Sequence, residues 1–271
     1  MSKPFTVACV QTSSARDVEE NIRTVGKQIR EAHKRGAEFI MLPETVGMVE
    51  PNKDMRLKKA APEGKDKALR AFRELATELK VWLLIGSLAI RTTGRRLANR
   101  SFLVDPRGKV VASYDKIHLF DVDLGSEKHK DSATIRPGRK AVIAKTPWGK
   151  LGMTVCYDVR FPHLYRRLAK AGAIFLTVPS GFTRPTGKAH WHTLLRARAI
   201  ENGSFVFAPA QCGEHAEGRT TFGHSLIIDP WGEILAEAGD DVGIITARID
   251  PARATEVRRS IPALTHDRPI G

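Results

Sequence analysis

Lysine and arginine outnumber aspartate and glutamate by 44 to 30 in this chain of 271 residues, a formal net charge of +14. Its 42% hydrophobic and 27% charged content is that of a soluble globular protein, and no apolar run approaches the roughly 20 residues that cross a bilayer, so no membrane partner is expected. The basic residues are scattered in pairs such as Arg95-Arg96 and Arg166-Arg167, not gathered in one tract with interleaved aromatics, which argues against a nucleic-acid partner.

The N-terminus leads straight into a strand-like run, Phe5-Thr6-Val7-Ala8-Cys9-Val10, with no charged-then-apolar leader. Three cysteines are too few for a disulfide framework, so a reducing, cytoplasmic setting is expected. Asp17 reads as an N-cap, and Val18, Ile22, Val25 and Ile29 recur at helical spacing up to Gly36. A buried strand over residues 39–42 ends at Pro43-Glu44. A second helix is predicted over residues 65–80, with Leu69, Phe72, Leu75, Ala76 and Leu79 on one face, and a strand over residues 81–87. This alternation predicts an α/β fold with helices packed on a sheet.

The middle is richer in strands. Residues 101–104 and 110–112 flank Asp105-Pro106-Arg107-Gly108, and residues 141–144 turn at Pro147-Trp148-Gly149-Lys150 into a strand over residues 151–155. Helices are expected over residues 162–170 and 190–202, with strands over residues 174–178 and 205–208. The segment 101–112 is echoed by 225–236: serine, three apolar residues, Asp-Pro-x-Gly, a charge, two apolar residues and alanine recur in order. Convergent turn chemistry explains such an echo, and so do two similar half-structures with packed sheets. Without a Ser/Gly-rich linker the chain reads as a single domain over residues 1–271, ending in an extended tail from about residue 262.

Three polar residues finish apolar strands. Glu44 follows residues 39–42, Lys116 follows the strand from residue 110, and Cys156 follows residues 151–155. Residues at such strand ends face the crevice where ligands bind. Together they form a chemical set: a thiol, a carboxylate to take its proton if burial raises that carboxylate's pKa, and an ammonium to favour the thiolate. Lys116 and the Tyr157 N–H would stabilise an oxyanion formed when sulfur attacks an acyl carbon. The nine histidines show no metal-ligand spacing, so neither a metal nor a cofactor is expected.

The segments Leu42-Pro43-Glu44, Tyr114-Asp115-Lys116-Ile117-His118-Leu119-Phe120-Asp121 and Val155-Cys156-Tyr157-Asp158-Val159-Arg160-Phe161-Pro162 resemble the three signatures of the nitrilase superfamily of carbon–nitrogen hydrolases. The resemblance runs in order over nearly the whole chain. It implies a four-layer αββα sandwich, a homodimer, a Glu–Lys–Cys triad and hydrolysis of a small-molecule amide through a thioester. Thr186-Gly187-Lys188-Ala189-His190-Trp191 and Gly223-His224-Ser225 are similar to the Nit branch. Ala210-Gln211-Cys212-Gly213-Glu214-His215 looks closer to its deaminated glutathione amidases than to its ω-amidases, which act on 2-oxoglutaramate. The implied reaction releases 2-oxoglutarate and cysteinylglycine.

Members of the family usually carry a second glutamate shortly before a Pro-Gly. In this chain Asp131 stands in that place ahead of Pro137-Gly138; a slipped alignment would give the role to Glu127. Arg160 would clamp a substrate carboxylate or pair with Asp158. Phe182 and Thr183 would line the acyl pocket or pack as an ordinary loop. Arg196, Arg198 and Glu201 are expected in ion pairs or dimer contacts, and Cys9 and Cys212 as structural thiols.

Overall fold

The computed structural model describes residues 3–125 and 128–268. In chain order the elements are β1 (Phe5–Gln11), α1 (Val18–Lys34), β2 (Phe39–Met41), α2 (Lys53–Lys59), α3 (Lys67–Leu79), β3 (Trp82–Arg91), β4 (Leu97–Val104) and β5 (Val110–Asp115). Then come β6 (Asp121–Asp123), β7 (Lys128–Lys130), β8 (Val142–Thr146), β9 (Gly149–Met153), α4 (Pro162–Lys170), β10 (Ala173–Thr177), α5 (Arg184–Asn202) and β11 (Phe205–Ala208). The last are β12 (Cys212–Glu214), β13 (Thr220–Phe222), β14 (Leu226–Ile228), β15 (Ile234–Glu237), β16 (Gly243–Ile249) and α6 (Ala252–Ser260).

Two six-stranded sheets have orders β16-β1-β2-β3-β4-β5 and β8-β9-β10-β11-β14-β15. Their pairings match position by position. Each begins with an antiparallel pair, continues with two parallel pairs, and ends with two antiparallel pairs. The echoed segments are the equivalent terminal hairpins, β4–β5 and β14–β15. In one turn Asp105 Oδ1 accepts the Arg107 and Lys109 N–H groups at 2.9 and 3.0 Å. In the other, Asp229 Oδ1 accepts those of Trp231 and Glu233 at 2.9 and 2.8 Å. Gly108 and Gly232 close these turns at φ 73° and 89°, a region that favours glycine. The echo therefore marks two half-structures.

Strand alternation sorts β1 between two interiors. Phe5, Val7 and Cys9 pack toward the second sheet, while Ala8 and Val10 pack with Val25 and Ile29 of α1 and Phe72 of α3. Phe5 meets Phe175 of the second sheet edge-on at 5.7 Å and stacks on Trp148 at 4.1 Å. Each such buried ring contributes roughly 1.5–3 kcal/mol. Leu164 and Leu168 of α4 and Trp191 and Leu195 of α5 cover the other face of the second sheet. The layers are helix, sheet, sheet, helix.

Asp17 caps α1 by accepting the Glu20 N–H at 2.8 Å. The helix expected over residues 65–80 starts at Lys67, capped by Asp66. The helix expected from residue 190 starts at Arg184, because its first turn, with Pro185 and Gly187, carries no apolar stripe. The same lack hides α2, which buries none of its residues. The end of the chain is not simply extended: residues Ala263–Thr265 form a 3-10 turn held on α4, where Arg166 and Lys170 both pair with Asp267. Among the described residues no helix is long and apolar enough to cross a membrane.

Candidate active site

Glu44, Lys116 and Cys156 meet at the carboxyl ends of β2, β5 and β9. Glu44 is 5% exposed and Lys116 2%. Glu44 Oε1 accepts Lys116 Nζ at 2.9 Å and Asn99 Nδ2 at 2.8 Å, and Oε2 accepts the Gly181 N–H at 3.0 Å. Cys156 lines the same cavity as this carboxylate, whose charge acts on its thiol. Gln211 Nε2 holds the Glu44 carbonyl at 2.9 Å from behind.

Local structure fixes each group. The strand expected to run to residue 155 ends at Met153, and Cys156 opens a 3-10 turn, Cys156–Arg160, at φ 49°. This left-handed conformation is unfavourable for a side chain bearing a Cβ. It is held by the Cys156 N–H donating to the Pro179 carbonyl at 2.9 Å. Asp158, fully buried, accepts the Val155 N–H at 2.9 Å and the Tyr114 hydroxyl at 2.7 Å. Its other oxygen accepts the His118 N–H at 3.1 Å and lies 2.7 Å from His118 Nδ1. One carboxylate thus joins the cysteine turn to both sides of Lys116. The Lys116 carbonyl accepts the Gly138 N–H at 2.9 Å, and a Cβ on Gly138 would lie 2.0 Å from the Asp115 carbonyl oxygen.

The electrostatics differ from the expectation in two respects. Burial pushes the Glu44 pKa up, but the Lys116 charge and its hydrogen bond outweigh that, and the net shift is downward. Burial and the Glu44 charge push the Cys156 thiol well above its ordinary value, against the pull of Lys116. Burial opposes the Lys116 charge, yet Glu44, Asp131 and Cys156 together raise its pKa. At rest the site holds a carboxylate, an ammonium and a protonated thiol. Lys116 serves the carboxylate more than the thiolate.

Asp131 lies 3.5 Å from Lys116 Nζ and accepts the Phe120 N–H at 3.1 Å. The alternative, Glu127, lies outside the described residues. Tyr157, Phe182 and Thr183 line the cavity over Cys156. Arg160 does not line it, and Asp158 is taken by other donors. The Arg160 guanidinium lies over the rings of Phe182 and Tyr157 at 5.4 and 5.8 Å and within 3.3 Å of His190 Nδ1. Asn99, Gly181, Arg56 and Arg219 also line the cavity. Sequence reading missed them because nothing local marks them.

Cys9 is sealed in the core, and Cys212 is buried with its pKa raised to about 11 by burial. Arg198 pairs with Glu201 at 2.9 Å. Ligand atoms of His192, His224 and Glu237 lie within 4.8 Å of one another, a grouping that spacing along the chain does not show. Both rings lie within hydrogen-bond reach of Glu237 Oε1, at 2.8 and 3.0 Å.

Residues 6–259 match the model of the carbon-nitrogen hydrolase family, and the chain belongs to that family. It is a hydrolase acting on carbon–nitrogen bonds. It is 41% identical over 269 residues to a deaminated glutathione amidase from Synechocystis, covering 97% of this chain and 98% of that one. The C. elegans NitFhit protein superposes with a TM-score of 0.93 at 35% identity, over 98% of this chain and 66% of that longer one. Saccharomyces cerevisiae Nit3, a member of branch 10 of the nitrilase superfamily, superposes with a TM-score of 0.87 at 30% identity, over 97% and 96%. The fold is that of the nitrilase superfamily.

Proposed function

We propose that this hydrolase is an amidase that cleaves deaminated glutathione to 2-oxoglutarate and cysteinylglycine through a thioester on Cys156. The convergence of Glu44, Lys116 and Cys156 in one cavity carries the chemical part of this reading. The similarity to deaminated glutathione amidases carries the substrate.

Glu44 is a carboxylate lining the same cavity as the thiol, so it takes the thiol proton as sulfur attacks the amide carbonyl. Lys116 and the Tyr157 N–H stabilise the resulting oxyanion. Collapse breaks the C–N bond, and Glu44 passes its proton to the departing amine. A water then gives a proton to Glu44 and attacks the thioester, releasing the acid and restoring the thiol. Asp131 holds Lys116 from the other side, and Phe182 and Thr183 wall the acyl group. The scheme calls on no metal or cofactor.

The deciding measurement compares kcat/KM on deaminated glutathione and on 2-oxoglutaramate. A clear preference for the first supports this reading; a clear preference for the second makes the protein an ω-amidase. A cytoplasmic homodimer completes the proposal. The half-exposed Ile200 and Trp231, adjoining the β14–β15 turn, support a covered face, and sedimentation tests it.

A further inference from the structure

Two guanidinium groups stand where three cavities meet. Arg56, from α2, and Arg219, from the turn before β13, both line the cavity that holds Cys156. Both also line a side cavity reaching Met48, Val49 and the buried Glu50, and a surface basin bordered by Lys53, Lys128 and Lys130 with Asp131 and Glu217 among them. They therefore flank the way from solvent to the sulfur.

Neither group is fully satisfied. Arg56 Nη2 donates to Thr134 Oγ1 at 2.8 Å. The Nε atoms of Arg56 and Arg219 are buried and have no hydrogen-bond partner among the described residues. Asp131, whose charge favours that of Arg56, is already engaged by Lys116 and the Phe120 N–H. Burial and the neighbouring Arg219 disfavour the Arg56 charge, and the Glu50 carboxylate joins Asp131 in favouring it. The cavity lining holds three cations, Arg56, Lys116 and Arg219, against two carboxylates, Glu44 and Asp131, an excess of one positive charge. Buried donors without acceptors are rare in folded proteins and call for a partner. A planar carboxylate matches a guanidinium fork and would cancel that excess.

We propose that Arg56 and Arg219 form a carboxylate clamp at the mouth of the Cys156 cavity, selecting amides that carry a carboxylate. The proposal rests on the amidase reading and deepens it. The lysine-bordered basin in front raises the local concentration of such anions. The carboxylate belongs either to the acyl half of the substrate or to the departing amine.

The test is steady-state kinetics of Arg56→Gln and Arg219→Gln on three amides. 2-Oxoglutaramate carries a carboxylate on the acyl side only, butanoyl-cysteinylglycine on the amine side only, and butanamide carries none. Each variant should raise KM by about tenfold or more for at least one anionic amide, the loss of a charge-assisted hydrogen bond, with kcat changed little. Butanamide turnover should fall less than that of the anionic amide that suffers. The substrate that suffers identifies the carboxylate held. Arg56→Lys and Arg219→Lys, which keep the charge and lose the fork, should fall between. Equal loss on all three amides, or loss on neither anionic one, overturns the clamp. Should the wild type cleave none of them, the clamp is tested by calorimetry on Cys156→Ala, while turnover of deaminated glutathione decides the proposed function separately. Binding of 2-oxoglutarate or cysteinylglycine that is lost in the arginine variants then supports it; no binding, or binding that survives them, overturns it.

Discussion

The Asp158 carboxylate accepts the Tyr114 hydroxyl at 2.7 Å, and this buried bond ties the strand leading to Lys116 to the turn presenting Cys156. Tyr114 belongs to one sheet and Asp158 to the turn after a strand of the other, so the bond links the two halves beside Lys116 and Cys156. Tyr114→Phe should leave a buried acceptor short of one donor and cost about 1–3 kcal/mol. Urea unfolding reads the stability. A kcat that falls while KM holds would show that the bond positions the triad; unchanged kinetics would make it purely structural.

Cys156→Ala should abolish amine release and leave the far-ultraviolet circular dichroism of the wild type. Any turnover retained by that variant defeats the thioester mechanism.

The pH profile follows from the directions of the shifts. Glu44 has a depressed pKa in the folded protein. Its charge, and the stability it lends, are complete above the unfolded-state value and lost only as pH falls through the lower folded value. Activity should therefore hold at pH 5 and decline below 4.5, the ordinary glutamate value. The Cys156 thiol is raised above its ordinary 9.0, so alkylation by iodoacetamide should still be climbing at pH 9. In Glu44→Gln the neighbouring negative charge is gone while Lys116 remains. The thiol pKa should drop, seen as thiolate absorbance at lower pH, although turnover is lost with the base.

Lys116→Met leaves Glu44 buried without its cation. Breaking such a pair costs about 3–5 kcal/mol, whereas removing both charges costs less. Glu44→Gln combined with Lys116→Met should thus melt above Lys116→Met alone. A double variant no more stable than the single would show that the ammonium does not compensate the carboxylate.

Gly138→Ala places a methyl group 2.0 Å from the Asp115 carbonyl oxygen, so the backbone beside Lys116 must move. Such overpacking costs about 1–3 kcal/mol. A displaced ammonium should lower kcat about tenfold or more. An alanine variant with wild-type kcat would show that the segment after Asp131 does not fix Lys116.

The groups around the sulfur divide by how the chain advertises them. Glu44, Lys116 and Cys156 each follow an apolar run, so period and punctuation alone locate them. Asn99 lies within β4 and reads as one polar residue among strand residues. Gly181 contributes a backbone N–H, which any residue type could supply. Arg56 sits on a helix without an apolar stripe, and Arg219 in a short turn, so only tertiary approach brings them to the cavity. Asp158 reads as a partner for nearby Arg160, but its donors come from Tyr114 and His118, some forty residues upstream. The paired hairpins were legible because aspartate, proline and glycine must occupy fixed places in such a turn. Their meaning as equivalent edges of two sheets needed the strand order.

The sheet that carries Glu44, Asn99 and Lys116 is built almost entirely from the first half of the chain, and the sheet that presents Cys156 and Gly181 from the second. During synthesis Glu44 and Lys116 emerge well before Cys156. A half-finished or half-unfolded molecule therefore lacks the assembled cavity, and the proposed chemistry becomes available only once the two layers have closed on each other.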